Sequence, residues 1–424
     1  MMFKKDLKSP SLSEKGSIIK KLVAFICSVW LTMGTFAQVS QLKPKYPVGV
    51  SYSIPFDTVS NVKGQEQVLK IDVYAPIQKS EIKNRPTVLL LFGGGFYWGN
   101  KNNYPMETIC NRLAQMGLVA ISMDYRTRWK KSLSEEEKGA TTLYRAVQDL
   151  SSAMSFIEQE IKTTNSWKID TTNFFLGGNS SGAITVLNYY FVNPSNPNIF
   201  SNLEANLGSW YKTNYRPKAL INLCGAISDT NLITDAIPIL SAHGNEDNIV
   251  PYKTAQVDFK IPLITTFPKV TLQGSYWINE RSKNLSGKSH LYTYQQQRHT
   301  PFDGIIEPKI YQSNMDKTIN LISNFLNNQV YPNQEVDIEK DLHIEHTSQC
   351  GVDISENEWQ FYPVDKSIKK IYLKVEDLSG KTLFRKKIKK KLKVFKYQPR
   401  LESGNYILKV GYSTFQKTIT VKIN

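Results

Sequence analysis

The stretch "NFFLGGNSSGAIT" (residues 173–185) places two adjacent serines between an aromatic run and an apolar run. Residues 173–176 have the pattern of a short buried strand, and residues 183–187 that of the start of a helix. Read as G-x-S-x-G, residues 178–182 put Ser180 at the centre of a sharp strand-to-helix elbow, flanked by glycines that permit so tight a turn. The stretch therefore predicts either a nucleophilic serine or an ordinary turn of small residues.

Strand-like and helix-like segments alternate from residue 67 onward, which is typical of a parallel sheet wrapped by helices. We therefore expect an α/β domain over residues 38–330. The predicted strands are residues 68–74, 87–92, 118–125, 173–176, 219–224, 238–242 and 291–295, and the predicted helices are residues 108–116, 142–161 and 314–326, with one more starting at residue 183. Residues 129–139 and 193–216 are predicted to form variable loops near the site.

The pattern of apolar residues changes after residues 331–333, where helical periodicity ends. Short alternating runs at residues 371–375, 382–387, 406–411 and 418–423 are separated by glycine-containing turns. This pattern predicts a small all-β, immunoglobulin-like sandwich over residues 331–424.

The N-terminal segment has the pattern of an export signal. Lys20 and Lys21 precede an apolar run at residues 22–31, and small residues follow at the cleavage position. We expect a signal peptide over residues 1–37 and a mature chain that begins at Gln38. The alternative is a membrane anchor, although the apolar run is short for one.

The chain carries a net charge of +16, which raises the question of an anionic partner. Its densest basic cluster, residues 385–393, alternates Lys with Ile and Leu. Alternation of this kind favours a strand with one solvated face, and a patch that binds nucleic acid or polysaccharide is the alternative. We do not expect nucleic acid as a partner.

Three cysteines follow the signal segment, Cys110, Cys224 and Cys350. Cys110 and Cys224 form either a disulfide or two buried thiols, and zinc-type spacing is absent. His343 and His346 supply only two ligands without a matching third, so we expect no metal.

A serine nucleophile requires a base and an acid, which in one common order follow it along the chain as Asp and then His. Asp247 follows the predicted strand at residues 238–242, and His299 follows the one at residues 291–295. Glu246 and Asp235 are the alternative acids. His243, expected in the turn before Asp247, is the alternative base, whereas His290 is expected to be a surface or edge residue.

Glycines 93–95 directly follow the predicted strand at residues 87–92. An oxyanion hole needs backbone amides aimed at one point, and glycine-rich chain can bring them close without side-chain obstruction. Gly94 and Gly95, together with Ser181 at the start of the predicted helix, are therefore the predicted donors. Tyr97 and Trp98 come next and are predicted to line the substrate site. Asp149, on the long predicted helix, is expected to be structural and to pair with a neighbour such as Arg145 one turn away.

Residues 67–327 resemble the α/β-hydrolase superfamily, in the branch of secreted carboxylesterases that includes lipase-like and feruloyl or acetylxylan esterases. The residues that carry the resemblance are "DVYAP" (72–76), "FGGGFYWGN" (92–100), "MDYR" (123–126), "FLGGNSSGAIT" (175–185), "HGNEDNIVPY" (243–252) and "RHTPF" (298–302). Two departures are Phe92, where this family usually has His, and Gln297-Arg298, where small residues are common.

The resemblance implies an exported serine esterase with Ser180 as nucleophile, His299 as base and Asp247 as acid. It implies an acyl-enzyme intermediate, a small-molecule or carbohydrate-linked ester as substrate, and no cofactor. The alternatives are a prolyl-oligopeptidase-type peptidase, whose usual propeller is missing, and a non-catalytic surface binding protein with the same fold.

The last part of the chain has a resemblance of its own. "LKVEDLSGKTLF" (373–384) and "LESGNYILKVGYSTFQKTITVKI" (401–423) are similar to the C-terminal sorting domains of type IX secretion. This similarity implies that the secretion machinery is a partner, and that the protein passes through the periplasm to the cell surface or the medium.

Overall fold

The structure is a computed structural model of the chain. It describes residues 42, 44–77, 84–130, 132–192, 203, 206–257, 260–261, 265–266, 270–285, 287–303, 311–333, 335–339, 350–354, 359–363, 370–389, 395–397, 404–411 and 417–423. The predicted signal peptide and the pair His343 and His346 lie outside these residues.

Twenty strands and five α-helices are present in the described residues. The strands are β1 (Val48–Ser60), β2 (Glu66–Pro76), β3 (Arg85–Leu91), β4 (Val119–Met123), β5 (Ile169–Asn179), β6 (Ala219–Leu223), β7 (Ala226–Ile227), β8 (Ile239–Gly244), β9 (Thr254–Gln256), β10 (Lys260–Ile261), β11 (Thr265–Thr266), β12 (Thr271–Gly274), β13 (His290–Tyr294), β14 (Cys350–Ile354), β15 (Trp359–Pro363), β16 (Lys370–Asp377), β17 (Thr382–Lys389), β18 (Phe395–Tyr397), β19 (Gly404–Gly411) and β20 (Lys417–Ile423). The helices are α1 (Tyr104–Gln115), α2 (Glu135–Thr163), α3 (Ser181–Phe191), α4 (Ser275–Asn284) and α5 (Tyr311–Val330).

Eight strands form the central sheet, in the order β13-β8-β6-β5-β3-β4-β2-β1. The six strands from β13 to β4 are parallel, and β2 and β1 continue the sheet antiparallel. Every residue of β4, β6 and β8 is buried, as expected when helices cover both faces of a parallel sheet. This mixed sheet fits the α/β-hydrolase fold that the resemblance implies.

The predicted elements of this domain are present, with shifted ends and some omissions. Helix α2 begins seven residues before the predicted start, because Ser134 Oγ accepts the amide of Glu137 while Glu137 Oε2 accepts the amide of Ser134. The prediction of a loop up to residue 139 was therefore wrong. Strand β1 and helix α4 were not predicted, because exposed and half-exposed residues interrupt their apolar periodicity.

From residue 350 onward, every secondary-structure element of the described residues is a strand. Strands β20-β19-β16-β17 extend the central sheet through a parallel pairing in which Val48 lies opposite Ile419 and Gly49 opposite Thr420. Strands β14-β15-β18 form a separate sheet. The packing of these two groups as a sandwich, and the boundary at residue 331, stay predictions.

Cys110 and Cys224 are both free and buried, so the alternative of a disulfide between them was wrong. Among the helices of the described residues, none has the length and apolarity needed to cross a membrane.

A buried ion pair links β2 to the loop before α1. Asp72 is fully buried, and its Oδ1 lies 3.0 Å from Lys101 Nζ and accepts the amide of Ser53 at 2.7 Å. Burial raises the pKa of Asp72 to about 6, against the attraction of Lys101, which lowers it. The carboxylate form is therefore less favourable in the folded protein than in the unfolded chain.

This shift predicts a specific pH dependence of stability. A group with a raised folded pKa contributes stability that is complete below its unfolded pKa, 3.8 for Asp72, and is lost as pH rises through about 6. We expect this contribution to the free energy of unfolding to fall by about 2 kcal/mol between pH 4 and pH 7. In urea unfolding, the wild type should therefore lose about 2 kcal/mol more than Asp72→Asn between the two pH values. Asp57→Asn, on β1, is the control and should behave like the wild type; an equal fall in Asp72→Asn would contradict the prediction.

Candidate active site

Ser180 lies at a strained turn between β5 and α3. Its backbone has φ +53° and ψ −120°, a combination that non-glycine residues rarely adopt and that costs on the order of 1–3 kcal/mol. The amide of Ser180 donates to the Leu223 carbonyl of β6 at 2.8 Å, and the Ser180 carbonyl accepts the amide of Ile184 at 3.0 Å. The sheet and the helix thus hold the elbow in place from both sides.

Gly178 and Gly182 are needed because α3 packs directly on the backbone of the sheet. A Cβ at Gly178 would lie 2.4 Å from the carbonyl carbon of Gly182, and one at Gly182 would lie 2.4 Å from the carbonyl oxygen of Leu91. Distances this short exclude any side chain, so the G-x-S-x-G pattern has a steric origin here.

The side chains of Ser180, His299 and Asp247 form a continuous hydrogen-bonded series. Ser180 Oγ lies 2.8 Å from His299 Nε2, and His299 Nδ1 lies 2.6 Å from Asp247 Oδ2. The Asp247 side chain is fully buried, and that of His299 is 8% exposed. The structure therefore brings together the three residues that the sequence predicted, at the carboxyl ends of β5, β8 and β13.

Asp247 is held as a carboxylate by several donors. Its Oδ1 accepts the amides of Ile249 at 2.8 Å and Val250 at 2.9 Å, and its Oδ2 faces His299 and His243. Burial by itself raises the pKa of Asp247, but the charge of His299 and the hydrogen bonds from both imidazoles outweigh it and hold the pKa well below its usual range. The group is ionised at neutral pH and suited to orient an imidazole.

The alternative base occupies a different position from the one expected. His243 lies within β8 and not in the turn after it, and its imidazole contacts Asp247 rather than Ser180. Asp235, an alternative acid, accepts a hydrogen bond from Tyr190 Oη at 2.9 Å. His290 is in β13, at the edge of the sheet as predicted, with Nε2 3.3 Å from Glu339 Oε1.

Asp149 forms an ion pair with Arg126, so the prediction of Arg145 as its partner was wrong. Asp149 Oδ1 pairs with Arg126 Nη2 at 2.7 Å, and its Oδ2 accepts the Arg126 amide at 2.6 Å. Arg145 instead donates to the Ser60 carbonyl. The ion pair fixes the segment after β4 against α2, which spacing along one helix does not reveal.

The glycine loop lies beside the serine. A Cβ at Gly93 would be 3.0 Å from Ser180 Cβ, and Gly94 and Gly95 have positive φ angles of 138° and 60°. Within the part of the chain that the structure describes, the amides of Gly94, Gly95 and Ser181 donate no hydrogen bond. Their role as oxyanion donors stays a prediction.

Phe92 and Tyr125 pack against each other at the start of this loop. Their rings stack with centroids 4.2 Å apart, and Tyr125 Oη donates to the Phe92 carbonyl at 2.9 Å and lies 3.0 Å from Ser181 Oγ. The aromatic ring at position 92, a departure from the family pattern, therefore has a packing role. The contact between Tyr125 and Ser181 was not predicted, and only the motif "MDYR" pointed to this tyrosine.

Tyr97 and Trp98 belong to an aromatic cluster after the glycines. The Tyr97 ring lies 5.8 Å from that of Trp98 and 4.8 Å from that of Trp129, and Trp98 is 42% exposed. An exposed ring beside the glycine loop is suited to contact a substrate, and this role stays a prediction.

Cys224 is a neighbour of the site that sequence reasoning did not place there. Among the described residues, Cys224, Asp247 and His299 are a group of metal-ligand types whose ligand atoms lie within 4.8 Å of one another. Burial raises the pKa of the Cys224 thiol well above its ordinary value, with a further contribution from the charge of Asp247. A thiol kept neutral is a poor metal ligand.

Comparison with known proteins adds one family model and several solved structures. The family model BD-FAE matches residues 71–234, which include the glycine loop and Ser180. The propionate-bound esterase 2 of Thermogutta terrifontis is 17% identical, over 64% of this chain and 93% of that chain, with a TM-score of 0.45. Brefeldin A esterase, a bacterial homologue of human hormone-sensitive lipase, is 12% identical over 68% and 78%, with a TM-score of 0.44.

Proposed function

We propose that the protein is an exported serine hydrolase that cleaves carboxylic esters through an acyl-enzyme. The observation that carries the proposal is the hydrogen-bonded series from Ser180 through His299 to Asp247, built on a strained elbow. The match of residues 71–234 to BD-FAE supports the same class of chemistry.

In the first half of the reaction, His299 Nε2 takes the proton from Ser180 Oγ as that oxygen bonds to the ester carbonyl carbon. The electron pair of the carbonyl moves to its oxygen, which the amides of Gly94, Gly95 and Ser181 stabilise. The bond to the alcohol oxygen then breaks, and His299 returns the proton to the leaving alcohol.

In the second half, water attacks the acyl-serine and His299 Nε2 takes its proton. Collapse of the second tetrahedral intermediate releases the carboxylic acid and restores Ser180 with the proton from His299. Asp247 stays ionised throughout and stabilises the imidazolium that forms twice, in agreement with its low pKa. These steps use side chains and backbone amides of this chain together with one water molecule.

The substrate class that we propose is a small-molecule or carbohydrate-linked ester. Tyr97 and Trp98 supply aromatic surface for the acyl or alcohol group beside the glycine loop. Passage out of the cell rests on the predicted signal at residues 1–37 and on the sorting-domain resemblance of residues 331–424.

Hydrolysis of p-nitrophenyl acetate, butyrate and octanoate by protein starting at Gln38 tests the proposal. We expect turnover of the acetate and butyrate esters with a burst of nitrophenol, because acylation precedes slower deacylation. A peptide p-nitroanilide should be cleaved far more slowly. Folded protein that cleaves the anilide and none of the esters would contradict the proposal.

A further inference from the structure

Two imidazoles converge on one carboxylate oxygen in the candidate site. Asp247 Oδ2 lies 2.6 Å from His299 Nδ1 and 2.9 Å from His243 Nε2. The side chains of His243 and Asp247 are both fully buried. The triad accounts for His299, but it leaves the second histidine without a role.

The groups around His243 show that its Nε2 carries a hydrogen atom. Its Nε2 faces two acceptors, Asp247 Oδ2 and the Val250 carbonyl at 3.1 Å, so Nε2 must carry a hydrogen. Its Nδ1 lies 2.8 Å from Ser275 Oγ. The ring therefore donates from Nε2 toward Asp247.

A buried polar chain continues behind the ring. Asn222 Nδ2 donates to Ser275 Oγ at 3.0 Å and to Ser241 Oγ at 3.0 Å. Ser275 Oγ also lies 3.4 Å from the Gly225 carbonyl, so its hydroxyl is held by Asn222, by that carbonyl and by His243 Nδ1. The Tyr252 ring packs on the imidazole, with centroids 5.7 Å apart and an interplanar angle of 85°. The ring of His243 is thus held at both nitrogens and has an aromatic neighbour.

We infer that His243 is a positioning residue that holds Asp247 Oδ2 toward His299, and that Asn222 and Ser275 fix the orientation of its ring. The inference rests on the proposed function for its catalytic consequence. Asp247 Oδ1 is already fixed by two backbone amides, so His243 supplies the side-chain donor that sets the position of the other oxygen. A carboxylate that rotates about its side-chain bond would lose the alignment with His299 Nδ1, and base catalysis depends on that alignment.

Three variants test this inference. In His243→Leu the donor is removed and the volume is nearly kept, whereas in His243→Gln an amide hydrogen takes the place of Nε2–H. We expect His243→Leu to lower kcat for p-nitrophenyl acetate by about 10- to 100-fold with KM nearly unchanged, and His243→Gln to recover most of the loss. His290→Leu, which removes a histidine–carboxylate contact at the sheet edge, is the matched control and should leave kcat unchanged.

A second measurement does not depend on turnover. In the proton NMR spectrum, the downfield signal of His299 Nδ1–H reports its hydrogen bond to Asp247, and it should weaken in His243→Leu and persist in His243→Gln. Folded His243→Leu with unchanged kcat and an unchanged signal would overturn the inference, as would equal losses in the Leu and Gln variants, which would indicate packing alone. Wild-type protein without esterase activity would refute the proposed function, while the NMR comparison would still decide the role of His243.

Discussion

Replacing Ser180 by alanine should lower kcat/KM for p-nitrophenyl acetate by at least about 10⁴-fold, because the acyl-enzyme can no longer form. The substitution removes only Oγ, whose partner is His299 Nε2 at 2.8 Å, so the fold should persist. Steady-state hydrolysis, with circular dichroism to confirm folding, measures the effect. A folded variant with more than a tenth of the wild-type activity would show that Ser180 is not the nucleophile.

The adjacent serine provides the internal control for this experiment. Ser181 Oγ contacts Tyr125 Oη at 3.0 Å, and the role predicted for Ser181 belongs to its backbone amide, which alanine keeps. Ser181→Ala should therefore lose less than about tenfold in kcat/KM. The reverse ranking of the two variants would assign the nucleophile to Ser181.

Replacing Gly182 by alanine should destabilise the protein by about 3 kcal/mol and also impair catalysis. The added Cβ would lie 2.4 Å from the Leu91 carbonyl oxygen and 2.5 Å from that of Phe92, which are backbone atoms at the end of β3. Because backbone cannot rotate away like a flexible side chain, α3 must shift, and Ser180 at its start shifts with it. Urea unfolding gives the free energy, and hydrolysis gives the activity.

Gly64→Ala is the matched control for the steric argument. Gly64 has a positive φ of 75°, but no atom lies within 4 Å of an added Cβ. It should cost about 1 kcal/mol from backbone strain alone and leave activity intact. Equal costs at Gly64 and Gly182 would mean that the close contact with β3 does not determine the stability of the elbow.

The sequence predicts the parallel core and the order of the site residues because each depends on local pattern. Buried strands such as β3 and β6 appear as continuous apolar runs, and residues after successive parallel strands must meet at one edge of the sheet. The sequence does not predict strand β1, because its exposed and half-buried residues lack a regular alternation. The start of α2 was misread because "SEEE" resembles a loop unless it is recognised as a capping box.

The contacts around the site depend on tertiary packing, which no spacing encodes. Spacing favoured Arg145 as the partner of Asp149, but the fold brings Arg126 from a different element. The sequence pattern placed His243 in a turn, but strand β8 continues to Gly244, and the imidazole contacts Asp247. Cys224 lies beside the acid and the base through the register of β6 with β8, and its neighbours along the chain give no sign of this.

Covalent labelling by a fluorophosphonate, followed by peptide mapping with mass spectrometry, tests the central claim most directly. The probe reacts with a serine oxygen that a neighbouring base activates, so it reports the nucleophile without any choice of substrate. The account predicts a single adduct on Ser180 in the folded protein and its loss in His299→Gln. An adduct on another residue, or folded wild-type protein that stays unlabelled, would contradict the account.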